Sequence, residues 1–225
     1  MFQTALAMVN YTAKKGIQID YVGITERTLV DTARTVLARE FLKTDSDWAF
    51  WMDADMVLPK ETIVRLLEVA EKKDTKMVTG VYYQRGNKHW PVLWTRTPTL
   101  EDGKKPKVIN QEEYDQNAHV GMFTVPGPEA KEPFQVHSAG FGCALIHRNV
   151  FESTDDPWFR FLYKKCSEDF YFFVNAGKKG YSLWADPSLH IGHVGEPKVV
   201  YKEDCYRLME ENDTNIMPIK QGESD

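Results

Sequence analysis

Cysteine is scarce: Cys143, Cys166 and Cys205 form no CxxC pair, and their odd number excludes a closed disulfide framework. Such usage suits a reduced compartment, so a cytoplasmic location is expected. Long apolar runs are missing too. The opening 15 residues are broken by Gln3, Thr4 and Asn10, and nothing approaches the roughly 18 apolar residues of a membrane span. Charge of one sign is not in excess; a formal net charge of −5 argues against a dedicated nucleic-acid coat and leaves only local basic faces to consider. There is no internal repeat and no glycine-rich phosphate loop of the P-loop or G-x-G-x-x-G type.

What is present belongs to a globular protein. Apolar residues make up 42% of the chain and charged residues 27%, enough for a sizeable core in one unit of 225 residues. The expected organisation is a single catalytic domain over residues 1–202 followed by a polar tail, 203–225. Aromatic residues are plentiful at 12%, and such side chains line sugar or base pockets as well as cores.

Along the first 84 residues helix and strand signals alternate. A helix over 2–15 ends at Gly16, and a strand over 17–22 follows. Val30, Ala33, Leu37 and Phe41 recur at helical spacing, with Thr28 and Asp31 as a capping pair. Trp48–Met52 reads as a strand buried on both faces. Pro59 opens a helix striped by Ile63, Leu66, Leu67 and Ala70, and residues 77–83 form the next strand. This alternation predicts an α/β fold with a mostly parallel central sheet and helices on both faces. A loop-rich insertion is expected over about 85–133, where five prolines ahead of Pro133 interrupt any period. Strands over 134–138 and 143–148 flank Gly140-Phe141-Gly142, Ser167 caps a helix through Gly177, and residues 181–189 read as a last strand.

The sharpest chemical signal is Asp53-Ala54-Asp55. Alternation along an extended chain would turn both carboxylates the same way, at the carboxyl end of a buried strand where α/β sheets bind ligands. Two such carboxylates suit Mn²⁺ or Mg²⁺, which take oxygen ligands and leave positions for phosphate and water. The same pair also suits plain capping of the helix after Pro59. Ser167-Glu168-Asp169 stands at a helix start, where acids are favoured by the dipole alone. Helical phase places Asp169 near the apolar arc of Phe170, Phe173, Val174 and Gly177, with Glu168 almost opposite, so Asp169 is preferred over Glu168 as a general base. His193, framed by Gly192 and Gly195, is a better metal-ligand candidate than His190. Imidazole beside two aspartates would tilt the preference towards Mn²⁺. Arg34 borders its helix's apolar stripe, where an arginine either snorkels or reaches a phosphate. Between Lys76 and Lys107 basic residues outnumber acids seven to two, interleaved with Tyr82, Tyr83, Trp90 and Trp94, a mixture suited to an anionic or sugar-bearing ligand or to a solvated loop.

In order, Trp51-Met52-Asp53-Ala54-Asp55-Met56, Gly140-Phe141-Gly142-Cys143-Ala144-Leu145-Ile146, Ser167-Glu168-Asp169 and Gly192-His193-Val194-Gly195 resemble the GT-A-fold (Rossmann-like) glycosyltransferases, particularly family-2-like enzymes of bacteria and phages. The resemblance implies that Asp53 and Asp55 form the DxD motif, holding Mn²⁺ or Mg²⁺ under the diphosphate of a nucleotide-sugar donor, and that His193 completes the metal site. It implies Asp169 at the base position, with Glu168 beside it, Gly140 to Gly142 as the glycine turn near donor and acceptor, and Arg34 near the nucleotide. A phage-encoded enzyme would work in the host cytoplasm. Such folds usually open with a strand and loop that hold the base, whereas this chain starts in the helix expected to follow them. The implied reaction is metal-dependent sugar transfer to an acceptor hydroxyl, inverting or retaining, the acceptor being a polysaccharide, a protein, a small molecule or a modified DNA base. Two rivals use the same residues: a nucleotidyltransferase, which would release pyrophosphate, and a non-catalytic sugar- or nucleotide-binding module, which would bind without turnover.

Overall fold

A computed structural model of the chain describes residues 2–20, 28–85, 89–96, 121–123, 126–127, 129–162, 166–195 and 199–204. Lys104, Lys105, Lys107, His119, Cys205 and nearly all of the expected tail lie outside these residues.

Helix α1 (Phe2–Lys14) is followed by Gly16 in the left-handed region, at φ +80°. Residues 17–20 form no strand, so the described part of the expected 17–22 strand is irregular. Helix α2 (Val30–Leu42) starts without a side-chain cap; Asp31 accepts from the N–H of Thr32 instead of pairing with Thr28. Then come β1 (Trp48–Met52), β2 (Met56–Val57), α3 (Thr62–Lys72) and β3 (Met77–Gly80). The α3 helix starts three residues beyond Pro59, whose carbonyl accepts from Thr62 N and Oγ1. The expected loop-rich insertion contains structure of its own: β4 (Leu93–Arg96) pairs with β5 (Gly121–Phe123) and with β7 (Ser138–Ala139). The remaining elements are β6 (Phe134–Val136), β8 (Cys143–His147), α4 (Arg148–Ser153), α5 (Glu168–Lys178), β9 (Leu183–Asp186), β10 (Gly192–Val194) and β11 (Val199–Val200).

The main sheet has the order β1-β8-β3-β9-β6. Strands β1, β3 and β9 share one direction, as the helix–strand alternation requires, but β8 is inserted antiparallel between β1 and β3. Among the described residues only β3 and β9 therefore make a parallel hydrogen-bonded pair, and the sheet is mixed. Strand β1 lies at the sheet edge; of its five residues only Trp51 is buried, so it is not covered on both faces as its apolar run suggested.

Strand alternation sends side chains to two cores. On one face Ala144, Ile146 and Met77 pack with Ala38 and Phe41 of α2, Val150 and Phe151 of α4, and Phe172, Phe173 and Ala176 of α5. On the other, Leu145, Cys143 and Val78 meet Ile63, Leu66, Val69 and Ala70 of α3 and Met8 of α1. Helices thus cover both faces. Leu66 is completely buried, worth about 1.5–3 kcal/mol of transfer free energy for one such side chain. Among the described residues no helix is long and apolar enough to cross a membrane.

The first core is aromatic where it nears the chemistry. Phe141, 1% exposed, hangs from the Gly140–Gly142 turn with its ring centroid 4.9 Å from Phe159 and Phe173, 5.0 Å from Phe172 and 5.4 Å from Trp51. That plug fastens the glycine turn to the end of β1 and the start of α5.

Candidate active site

Asp53-Ala54-Asp55 is a tight turn joining β1 to β2, closed by the Met56 N–H donating to the Asp53 carbonyl at 3.2 Å. The chain is not extended here, so the carboxylates diverge instead of facing the same way. The interactions of β1 and β2 explain this: Asp53 N–H reaches the Gly142 carbonyl at 3.4 Å on one side, and the Asp55 carbonyl accepts from Val194 N–H at 2.8 Å on the other.

The inner carboxylate, Asp53, faces Arg34. The guanidinium, on a side chain 9% exposed on α2, donates from Nη2 to Asp53 Oδ1 at 3.0 Å and Oδ2 at 3.4 Å, and from Nη1 to Glu168 Oε1 at 2.6 Å. It also lies 5.1 Å from the centre of the Phe141 ring. Arg34 therefore joins the end of β1 to the start of α5. Glu168 is buried with Phe172, Phe173 and Ala176, which follow it at helical spacing on one face of α5. This corrects the sequence phase: Phe170 to Val174 is apolar throughout, so the wheel had no polar gap to fix the buried face, and Glu168 points inward, not away.

Asp169 is half-buried beside it. Its Oδ1 accepts from Ser167 Oγ and, at 2.7 Å, from Phe170 N–H. Ser167 serves Asp169 and not the helix backbone. Burial raises both acids from their ordinary values. For Glu168 the neighbouring Asp169 charge adds to the rise and Arg34 opposes it; for Asp169 the Ser167 hydrogen bond and Arg34 oppose it. Trp94 of β4 meets Phe170 edge-on at 5.7 Å, bringing one of the expected aromatic residues to the start of α5. Tyr82 and Tyr83, by contrast, are core residues.

The outer carboxylate, Asp55, is met by Arg85 and His193. Arg85 Nη1 lies 2.9 Å from Asp55 Oδ2, and His193 Nε2 lies 3.4 Å from the same oxygen. Antiparallel pairing of β10 with β2, His193 opposite Met56, places the imidazole there. His193 Nδ1 is 2.8 Å from the Tyr83 carbonyl, which only accepts, so Nδ1 carries a proton. In the neutral ring the Nε2 lone pair then faces a carboxylate oxygen, an arrangement that a cation completes. An oxygen and a nitrogen donor so placed fit Mn²⁺. Asp53 does not converge with them, being turned to Arg34, and among the described residues no three metal-ligating side chains come together. His190 lies elsewhere, stacked on Tyr201 and 3.3 Å from Glu203.

Tyr82 separates the two halves. Its hydroxyl accepts from Gly142 N–H at 3.0 Å, while its ring meets His193 edge-on at 5.6 Å. Burial, reinforced by the Asp53 and Asp169 charges, raises the phenol well above its usual range, so it stays neutral. A Cβ on Gly140 would stand 2.0 Å from Tyr82 Oη, and one on Gly142 2.8 Å from Tyr82 Cζ; glycine is required at both by close approach. Cys143, its thiol pushed up to about 12 by burial, is no nucleophile.

Sequence reasoning missed Arg85, which it counted only within a basic stretch, and read Ser167 as a helix cap. No periodicity marks Arg85; its place depends on the Tyr83 to Gln84 backbone returning beside Asp55.

No curated protein matches the chain. Among solved structures it is similar to A197 from STIV, with 21% identity, a TM-score of 0.56, and coverage of 88% of this chain and 84% of that one, a likeness of fold. GalNAc-T7, solved with UDP, GalNAc and Mn²⁺, overlays with 15% identity and a TM-score of 0.46 over 83% of this chain and 35% of its own, too weak a likeness to argue from. The Glycosyl transferase family 2 model matches residues 36–154, more than half of the chain and inclusive of the Asp53–Asp55 and Gly140–Gly142 turns. The chain therefore belongs to glycosyl transferase family 2 and is a GT-A-fold glycosyltransferase.

Proposed function

We propose that the enzyme transfers a sugar from a nucleotide-sugar donor to an acceptor hydroxyl with a divalent cation, Mn²⁺ or Mg²⁺, held by Asp55 and His193. The observation that carries this reading is the fixed His193 ring, with Nδ1–H spent on Tyr83 and Nε2 turned to Asp55 Oδ2. When bound, the cation supplies charge neutralisation for the diphosphate leaving group. Asp53 braces the donor side of the site through its bond to Arg34, whose guanidinium is shared between Asp53 and Glu168. The Gly140–Gly142 turn, filled on its Cβ side by Tyr82, borders the donor side next to Asp53, whose N–H reaches the Gly142 carbonyl.

In transfer, an acceptor oxygen attacks the anomeric carbon as the bond to the diphosphate oxygen breaks, and the acceptor's proton passes to Asp169. Two features support Asp169 over Glu168. Glu168 is locked to Arg34 at 2.6 Å and nearly buried, whereas both hydrogen bonds to Asp169 fall on Oδ1, leaving Oδ2 for the acceptor. Burial raises Asp169, as it does Glu168, towards the range of an effective base.

Calorimetric titration with UDP, GDP, ADP, CDP and TDP, each with and without Mn²⁺, tests the donor site. One nucleotide should bind in a metal-dependent way, and Asp55→Ala should abolish that dependence; metal-independent binding by both proteins would sink the cation assignment. Asp169→Asn should keep donor binding and lose transfer by about a hundredfold or more. Normal transfer by this variant overturns its role as base.

A further inference from the structure

Each aspartate of the DxD turn already carries a cationic partner, and the two partners differ in kind. The Arg34 guanidinium is 9% exposed, is also bonded to Glu168 and rests on the Phe141 ring. The Arg85 side chain is 54% exposed, and among the described residues its ion pair is with Asp55 alone. Exposed single pairs are worth at most about 1 kcal/mol, so a stronger cation displaces one readily. The contact is also competitive: Arg85 takes Asp55 Oδ2, the oxygen that faces His193 Nε2.

We infer that Arg85 is an exchangeable counter-ion: it occupies Asp55 in the empty enzyme, gives way to the divalent cation, and then pairs with the donor's diphosphate. This inference rests on the cation reading above. The hairpin geometry favours it. Tyr83, whose carbonyl orients His193, forms a bridge with Pro91, and Gln84 N–H donates to the Trp90 carbonyl at 2.8 Å, so the backbone just before Arg85 is tethered while its long side chain is exposed. A guanidinium's planar fork suits two phosphate oxygens, whereas its contact with Asp55 is made by Nη1 to Oδ2. Such an exchange keeps Asp55 from facing solvent unpaired before the donor arrives and supplies a second positive group once it has.

The test is Mn²⁺ titration of the full chain, read by calorimetry or by the spin resonance of free Mn²⁺, in wild type, Arg85→Ala, Arg85→Lys and Asp55→Ala. Without phosphate, Arg85→Ala should bind Mn²⁺ about three- to fivefold more tightly than wild type, with Arg85→Lys between them. With inorganic pyrophosphate present the order should invert, and Arg85→Ala should bind the Mn²⁺–pyrophosphate pair about tenfold more weakly. Equal or weaker Mn²⁺ binding by Arg85→Ala without pyrophosphate overturns the exchange while leaving the cation site standing. So does an Arg85→Ala affinity for the Mn²⁺–pyrophosphate pair equal to that of wild type. Absence of Mn²⁺ binding in both wild type and Arg85→Ala overturns the cation site itself, and the exchange with it.

Discussion

The inner and outer halves of the site use the same ingredients, an arginine, an aspartate and a third ionisable group, in opposite surroundings. Inside, a buried Arg34 bonds Asp53 and a buried Glu168 against an aromatic plug; outside, an exposed Arg85 and His193 share one oxygen of Asp55. Burial of Arg34 and Glu168 turns the first set into a structural joint between β1 and α5, because each of these charges removed from water depends on the other. Exposure of Arg85 leaves its pairing with Asp55 interchangeable. The DxD turn can therefore be both fixed and responsive, one carboxylate belonging to the fold and the other to the ligand.

The contrast is broken most severely at Arg34. Replacing it by alanine leaves Glu168 buried without its cation and removes the contact with Phe141, for an expected loss of about 3–5 kcal/mol in urea unfolding. Adding Glu168→Leu to Arg34→Met should recover most of that loss, since a matched apolar pair removes the uncompensated charge. Arg85→Ala should leave the urea midpoint nearly unchanged. Equal destabilisation by the two single alanine variants would end the distinction between the halves.

The partition between them is sharpened at Gly140. A methyl group there meets Tyr82 Oη at 2.0 Å and Val92 Cγ1 at 2.7 Å, so the ring must shift against His193. We expect Gly140→Ala to cost about 1–3 kcal/mol and to weaken Mn²⁺ binding as well, linking the glycine turn to the outer half. A stability loss with unaltered Mn²⁺ affinity would show that the tyrosine wall transmits nothing.

Much of this was legible in the residues. The stripe Ile63, Leu66 and Ala70 gave α3, and the run Trp48–Met52 gave β1 with its ends, because a single period and a sharp polar stop dominate there. Asp53, Asp55, Arg34, Glu168, Asp169 and His193 were all singled out, and they gather at one edge of the fold. Their pairing was not legible. Whether Asp53-Ala54-Asp55 runs extended or turns depends on β2 pairing with β10, a contact between residues far apart in sequence. The sheet's mixed direction depends likewise on β8 inserting between β1 and β3, which no local pattern signals. Arg85 was invisible for the same reason: an exposed arginine in a basic stretch acquires meaning only from the carboxylate that tertiary structure brings to it.

The smallest expected effect concerns the acid that belongs to the inner half without being locked by Arg34. Burial raises the Asp169 pKa in the folded protein above its unfolded value. The folded state thus favours the protonated carboxyl, and the contribution to stability is fully present below the ordinary carboxylate range and is lost as pH rises through the raised value. Asparagine keeps an acceptor at Oδ1 for Ser167 and Phe170 and carries no charge to desolvate. Asp169→Asn should therefore be slightly more stable than wild type at neutral pH, the advantage fading as pH falls below the ordinary carboxylate range. Paired unfolding curves across that window provide the check. A variant less stable at neutral pH would mean that the carboxylate's hydrogen bonds outweigh its burial, and that Asp169 belongs with Glu168 as part of the joint and not with the groups kept for chemistry.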